Sequence, residues 1–194
     1  MPKILHEGIQ LRLRQAEPED IDYIMALEYA PENVKYIVPF TREIHMAAIK
    51  DAKSTMDVIV ERKEDGAPVG YLMISGMDNA FRKVEWTHVV IGEKNKGYGH
   101  EAMKLIKAWS FDDMHFHRGW LDCKEYNAAA LHLYESEGMQ REGLLRETIC
   151  TNGVYENLIV LGILDREFRA RQKEGQELPE THGSGQITSG GKAS

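Results

Sequence analysis

Residues 83–103, KVEWTHVVIGEKNKGYGHEAM, decide how this chain is read. The stretch begins as a strand. Val84, Trp86, His88 and Val90 alternate with Glu85, Thr87, Val89 and Ile91, and β-branched and aromatic residues dominate. At Gly92 it breaks into a polar loop, Glu93-Lys94-Asn95-Lys96, followed by Gly97-Tyr98-Gly99. A helix then starts, with Glu101, Ala102, Met103, Leu105 and Ile106. The leading N–H groups of a helix have no intrahelical partner, so they point at whatever lies before it. Glycines let a ligand come close to the backbone, because no Cβ intervenes. Lys94 and Lys96 add positive charge. A phosphate or diphosphate suits this arrangement.

Two familiar phosphate loops fit it poorly. A P-loop needs Gly-Lys-Ser/Thr, and here His100-Glu101 follow the glycine. A dinucleotide fingerprint would start at Gly97 and belongs near the beginning of a βαβ unit, whereas this turn lies mid-chain after strands that read as antiparallel. A plain strand-to-helix turn without a ligand is the competing reading.

A second motif lies downstream. Residues 127–139 read NAAALHLYESEGM. Asn127 opens a helix, Tyr134 follows seven residues on, and Gly138 stands where a left-handed cap ends it. Seven residues are about two helical turns, so Asn127 and Tyr134 share one face. With Lys94-Asn95-Lys96-Gly97-Tyr98-Gly99, this resembles the paired signatures of the GNAT superfamily of N-acetyltransferases, in the family's order. The resemblance covers roughly Leu11 to Leu164. Lys94 stands where Gln or Arg is usual, the loop before the glycines is slightly short, and Met139 replaces the usual Phe. Within the family, the chain looks most like the branch with polyamine and ribosomal-protein N-terminal acetyltransferases.

The rest of the chain fits one domain, 1–174, with a Gly/Ser/Thr-rich tail at 175–194 expected to be disordered. Ile9 to Arg14 alternates as a first strand. Pro18 lies near the first turn of a helix with Ile21, Ile24 and Met25 on one face. Residues 31–39 read as a connector, and Thr41 caps a second helix through Ile49. Val58 to Arg62 and Val69 to Ser75 are strands around Asp65-Gly66. The glycine-turn helix extends to about Asp112 or Asp113, and a short strand covers Gly119 to Cys123. Strands 140–150 and 154–164 are joined by Asn152-Gly153, a strong hairpin signal. The expected class is α+β: a GNAT-like twisted, mostly antiparallel sheet with helices on both faces.

Composition sets limits. The formal net charge of −7 argues against a general nucleic-acid binder and is compatible with a cationic substrate. No apolar run reaches membrane length, and the N-terminus lacks a basic-then-apolar signal. The two cysteines, Cys123 and Cys150, form no framework and read as free thiols in a reducing cytoplasm. His115, His117, Cys123 and His132 lack a second compact ligand pair, so they read as loop histidines and a buried thiol, with no metal expected.

The resemblance implies acetyl-CoA as co-substrate and a small amine or basic peptide N-terminus as acceptor. It is compatible with a homodimer. The cofactor's diphosphate would sit on Lys94, Asn95, Lys96, Gly97, Tyr98, Gly99 and His100. Its pantetheine arm would pair with Val89, Val90 and Ile91 where the central strand splays from its neighbour, with Asn127 opposite. Glu28, Tyr29, Glu32, Asn33 and Tyr36 would border the acceptor pocket. Glu85 is the candidate base, read as lying on the same side as Thr87 and Val89; a cross-strand charge partner is the equal alternative. A backbone N–H near Val89 would meet the oxyanion. Tyr134 would protonate the leaving thiolate, since phenol and thiol have pKa values of about 10 and 8.5. A non-catalytic acyl-CoA-binding module is the alternative function, kept open by Lys94.

Overall fold

The computed structural model describes residues 2–177. Eight strands form one sheet: β1 (Ile4–Glu7), β2 (Leu11–Gln15), β3 (Thr55–Arg62), β4 (Pro68–Ser75), β5 (Lys83–Ile91), β6 (Arg118–Lys124), β7 (Gln140–Thr151) and β8 (Val154–Leu164). Their order is β1-β2-β3-β4-β5-β6-β8-β7, and only β5 and β6 run parallel. The helices are α1 (Ile21–Glu28), α2 (Pro31–Val34), α3 (Arg42–Lys50), α4 (Tyr98–Ala108), α5 (Ala128–Ser136) and α6 (Asp165–Glu177). The class is the mixed α/β, mostly antiparallel one expected, with a helical layer on each face. Of the expected tail at 175–194, residues 175–177 continue α6 and residues 178–194 lie outside the described residues.

Each face of the sheet has its own core. On one, Leu11, Leu13, Leu72, Ile74 and Trp86 pack with Met103 and Ile106 of α4 and Leu131 of α5. On the other, Ile59, Tyr71, Met73 and Val90 pack with Ile24 of α1 and Ile49 of α3. These sets follow from the period-2 alternation of the strands and the apolar stripes of the helices.

Several local features differ from the sequence reading. The first strand begins at Leu11, and an additional edge strand, β1, precedes it, its polar residues pairing with β2. The 31–39 connector contains one helical turn, α2, with Pro31 at its start. The glycine-turn helix closes in a π-turn over Trp109–Asp113, where Ser110 Oγ accepts from Trp86 Nε1 at 3.2 Å. The Asn152-Gly153 turn, by contrast, stands as expected: both residues have positive φ (52° and 81°), the geometry of a two-residue hairpin turn.

The difference that matters most lies in β5. Its register against β4 shifts between Met73↔His88 and Ile74↔Trp86, leaving Thr87 as an extra residue. This bulge reverses the alternation. Val84, Trp86, Val89 and Ile91 face the α4 side, while Val90 packs among Tyr71 and Met73 and Thr87 Oγ1 donates to Ser75 Oγ at 2.9 Å. Glu85 therefore shares a face with Thr87 and His88, and Val89 lies on the opposite face, which corrects the expected grouping of Glu85 with Val89.

Candidate active site

β5 and β6 are paired only at Lys83↔Arg118, Val84↔Gly119 and Glu85↔Trp120. Beyond these the strands part, while β6 stays bonded to β8 through Lys124 and β5 to β4 through Ile91. The gap opens a cleft of ≈ 690 Å³, within the usual size of ligand sites. Val89, Val90 and Ile91 form one wall, Asp122, Cys123 and Lys124 the other.

One end of the cleft is the glycine turn. Gly97 has φ 76°, a left-handed conformation that a side chain would strain. The first helical bond runs from Glu101 N to Gly97 O at 3.2 Å, so the N–H groups of Tyr98, Gly99 and His100 precede the intrahelical ladder. Tyr98 buries its ring in the core. The His100 side chain turns to Glu137, Nδ1 to Oε1 3.0 Å. The charges are less free than the sequence suggests. Lys96 pairs with Glu93 at 2.5 Å, and Lys94 Nζ donates to Asn33 Oδ1 at 3.2 Å. Burial pushes the Lys94 amine below its ordinary value, against the pull of Glu32. Asn95, with φ 60°, turns the loop between them.

The other end carries the acid–base groups. Tyr134, 6 % exposed, lines the cleft from α5. Burial first, then the neighbourhood of Cys123 and Asp122, pushes its phenol well above the ordinary value, so the proton stays on. Glu85 also lines the cleft, and burial together with nearby Asp122 pushes its carboxyl up. Asp122 is raised by burial too. Asn127 reaches the cleft, but its Oδ1 caps α5 by accepting from Ala130 N at 3.3 Å.

The acceptor-wall candidates divide. Glu32, Asn33 and Tyr36 line the cleft. Tyr36 packs against Tyr126, whose hydroxyl shares its proton between Lys35 O (2.6 Å) and Glu156 Oε1 (2.7 Å). Tyr29 is 55 % exposed and is not among the cleft-lining residues. Glu28 is fully buried behind the wall, at 0 % exposure.

Glu28 sits at the centre of a buried polar network. Its Oε1 accepts from the Tyr71 hydroxyl and from His88 Nδ1 (2.6 Å). Its Oε2 accepts from Phe40 N (2.7 Å) and lies 3.3 Å from His45 Nε2. His45 Nδ1 is 2.8 Å from Asp57 Oδ2. Burial alone would neutralise Glu28, yet the hydrogen bonds from His45, His88 and Tyr71 outweigh it and hold the carboxyl at about 2. Burial likewise opposes charge on His45, but its bonds to Asp57 and Glu28 push it up to about 9.

Sequence reasoning missed His88, His45, Asp57, Tyr71, Asp122 and Lys124 as members of the site or its support. A signal existed for two of them. Asp57 interrupts the apolar strand MDVIV, and His45 lies inside helix REIHMAAIK at 0 % exposure. Lys124, itself buried, pairs with Glu156 at 2.9 Å. His115, His117, Cys123 and His132 form no group that could hold a metal among the described residues.

Residues 10–140 match the family model described as Acetyltransferase (GNAT) domain. The chain is 26% identical over 176 residues to the spermidine N(1)-acetyltransferase of Escherichia coli strain K12, covering 87% of this chain and 94% of that one. It is 24% identical to the Vibrio cholerae enzyme of the same name, over 84% and 98% of the two chains. Among solved structures, the Vibrio cholerae spermidine N-acetyltransferase in complex with CoA and spermine superposes with a TM-score of 0.74 at 24% identity, over 82% and 98% of the chains. A GCN5-related N-acetyltransferase from Brucella melitensis gives 0.73 at 21% identity, over 91% and 85%.

Proposed function

We propose, because this chain belongs to the GNAT acetyltransferase family, that it transfers the acetyl group of acetyl-CoA directly to a primary amine of the polyamine class. As an acyl-CoA-dependent N-acetyltransferase it needs a channel joining a diphosphate site to an amine site. The parting of β5 and β6 after Glu85 and Trp120 is the observation that carries the reading. The diphosphate would lie on the N–H groups from Lys94 to His100, the pantetheine arm along Val89 to Ile91, and Asn127 Nδ2 would be free to donate to it. The acceptor's reacting ammonium would meet Glu85 and Asp122, and Glu32, towards the other end of the cleft, would meet a second cationic group, which favours a polycation over a neutral amine. Glu85 would take its proton, the oxyanion would rest on backbone N–H near Val89, and Tyr134 would protonate the thiolate. Free thiols at Cys123 and Cys150 fit a cytoplasmic setting, and exposed Leu144 and Leu145 on β7 fit a homodimer.

A thiol-release assay with acetyl-CoA and a panel of amines and basic peptides tests this. Turnover with polyamines is expected. Activity confined to peptide N-termini would move the acceptor class, and acetyl-CoA binding without turnover on any amine would leave the non-catalytic module. Acetyl-CoA should also raise the melting temperature by mass action.

Two substitutions probe the parts. Gly97→Ala puts a side chain at φ 76°, a strain of about 1–2 kcal/mol. In Gly99→Ala the new Cβ meets only the flexible end of the Leu133 side chain, Cδ2 at 3.2 Å and Cδ1 at 3.8 Å. Coenzyme A affinity measured by calorimetry should therefore fall more in Gly97→Ala; unchanged affinity in both would place the phosphates elsewhere. Glu85→Gln should lower turnover most at low pH, where the free amine is scarcest, and leave acetyl-CoA affinity nearly intact. A pH profile identical to wild type would make Glu85 a structural charge.

A further inference from the structure

The acetyl transfer proposed above sheds two protons from the amine nitrogen. One leaves as the ammonium becomes a nucleophile, the other as the amide forms. One must replace the proton that Tyr134 gives to the thiolate and the other goes to solvent, so proton acceptors are needed beside the amine. Glu85 is one. We propose that His88 is the second: a general base whose Nε2 takes the proton from nitrogen as the C–N bond forms, with Glu28 as the positioning residue behind it.

Geometry carries this. His88 lines the cleft on the same face of β5 as Glu85, set there by the Thr87 bulge. Its ring stacks on Phe40 with centroids 4.6 Å apart and 20° between planes, which fixes its orientation. A Glu28 oxygen lies 2.6 Å from Nδ1. The Tyr71 oxygen lies 2.7 Å from the same nitrogen and gives its own proton to Glu28, so Nδ1 faces two acceptor oxygens and carries the proton. Nδ1–H then leaves the lone pair on Nε2. Nε2 has no hydrogen-bond partner among the described residues, and the ring lines the cleft. A carboxylate that fixes the imidazole tautomer and then stabilises the imidazolium is the same logic that activates the histidine of serine proteases.

The step balances. The amine, already relieved of one proton by Glu85, attacks the thioester carbonyl and the C–N bond forms. The second N–H proton passes to His88 Nε2. The C–S bond breaks with its electron pair on sulfur, and Tyr134 gives its proton to that sulfur. The imidazolium is left paired with Glu28; one of the two abstracted protons then returns to the Tyr134 phenolate and the other goes to solvent, which restores the starting enzyme. The charged and titratable groups around the ring are Glu28 from α1, His45 from α3, Asp57 from β3, Tyr71 from β4, Glu85 on β5 and Asp122 from β6.

The test uses the full chain with acetyl-CoA and whichever amine the wild type accepts. His88→Gln keeps a polar side chain at the cleft; His88→Ala opens room for added imidazole. The expected result is a fall in kcat of about 10²-fold in both with acetyl-CoA affinity close to wild type, while the melting temperature falls less in His88→Gln, whose amide can still donate to Glu28, than in His88→Ala. Imidazole in solution should restore turnover to His88→Ala and not to His88→Gln. Glu28→Asp should retain more activity than Glu28→Gln, and the latter should flatten the pH dependence of kcat, an effect that a purely structural carboxyl would not produce. His88→Gln turning over within about threefold of wild type from about pH 6 to 9, without rescue of His88→Ala, overturns the proposal. Absence of turnover in the wild type with every amine would instead strike the acetyl-transfer reading itself, so the two failures are distinct.

Discussion

Tyr134→Phe is expected to lower kcat by about 10²–10⁴-fold, the usual worth of a positioned proton donor. The ring is buried at 6 % exposure, and Phe preserves its packing against α4 and β6, so folding should survive. Only the hydroxyl goes. It has no hydrogen-bond partner among the described residues, so its removal orphans no protein group. Burial keeps its pKa high and the proton in place until a thiolate develops beside it. The loss should fall on kcat rather than on KM alone, because the hydroxyl matters most in the transition state. If the hydroxyl merely oriented the sulfur of bound acetyl-CoA, affinity for the cofactor would drop in parallel; measuring both in one variant decides. A fully active Tyr134→Phe would remove the residue from the chemistry.

What could be read from the sequence was local. The Gly97 turn, the Asn152-Gly153 hairpin and the helix between Asn127 and Gly138 each rest on residues within a dozen positions, and each stands where its backbone chemistry demands. The bulge at Thr87 was illegible, because it exists only against the register of β4. Strict alternation put Glu85 with Val89; one extra residue puts it with His88. Illegible for a similar reason was the network around Glu28, since α1, α3, β3, β4 and β5 each contribute one side chain and no sequence spacing joins them. Its traces were polar residues in apolar contexts, Asp57 and His45, which only burial turns into partners. The Lys94 slot shows the opposite limit. The sequence shows its charge beside the glycine turn but not that its amine donates to Asn33.

His45→Leu should be the most destabilising single change in this region, by about 3–5 kcal/mol, because it leaves Glu28 and Asp57 as buried carboxylates without their shared cation. For a chain of this size that is a fall of about 6–20 °C in melting temperature. The pH dependence should identify the cause. His45 is pushed up to about 9 from an ordinary 6.5, so it binds its proton more tightly folded than unfolded. Its contribution is fully present below the unfolded value and is lost as pH rises through the folded one, a change of about 3 kcal/mol across that window. Glu28 works from the acid side. Held at about 2, it stabilises above the ordinary carboxylate range and loses that effect as pH falls towards 2. Asp57 opposes it there: burial pushes its carboxyl up, and its Oδ1 is buried without a partner, so its contribution runs in the reverse sense. The alkaline window is therefore the cleaner one. Chemical denaturation between about pH 6.5 and 9 should show stability falling with pH in the wild type and a flatter dependence in His45→Leu. Parallel slopes in the two proteins would mean that His45 is neutral in the folded state and that the network is held by hydrogen bonds without a cation at its centre.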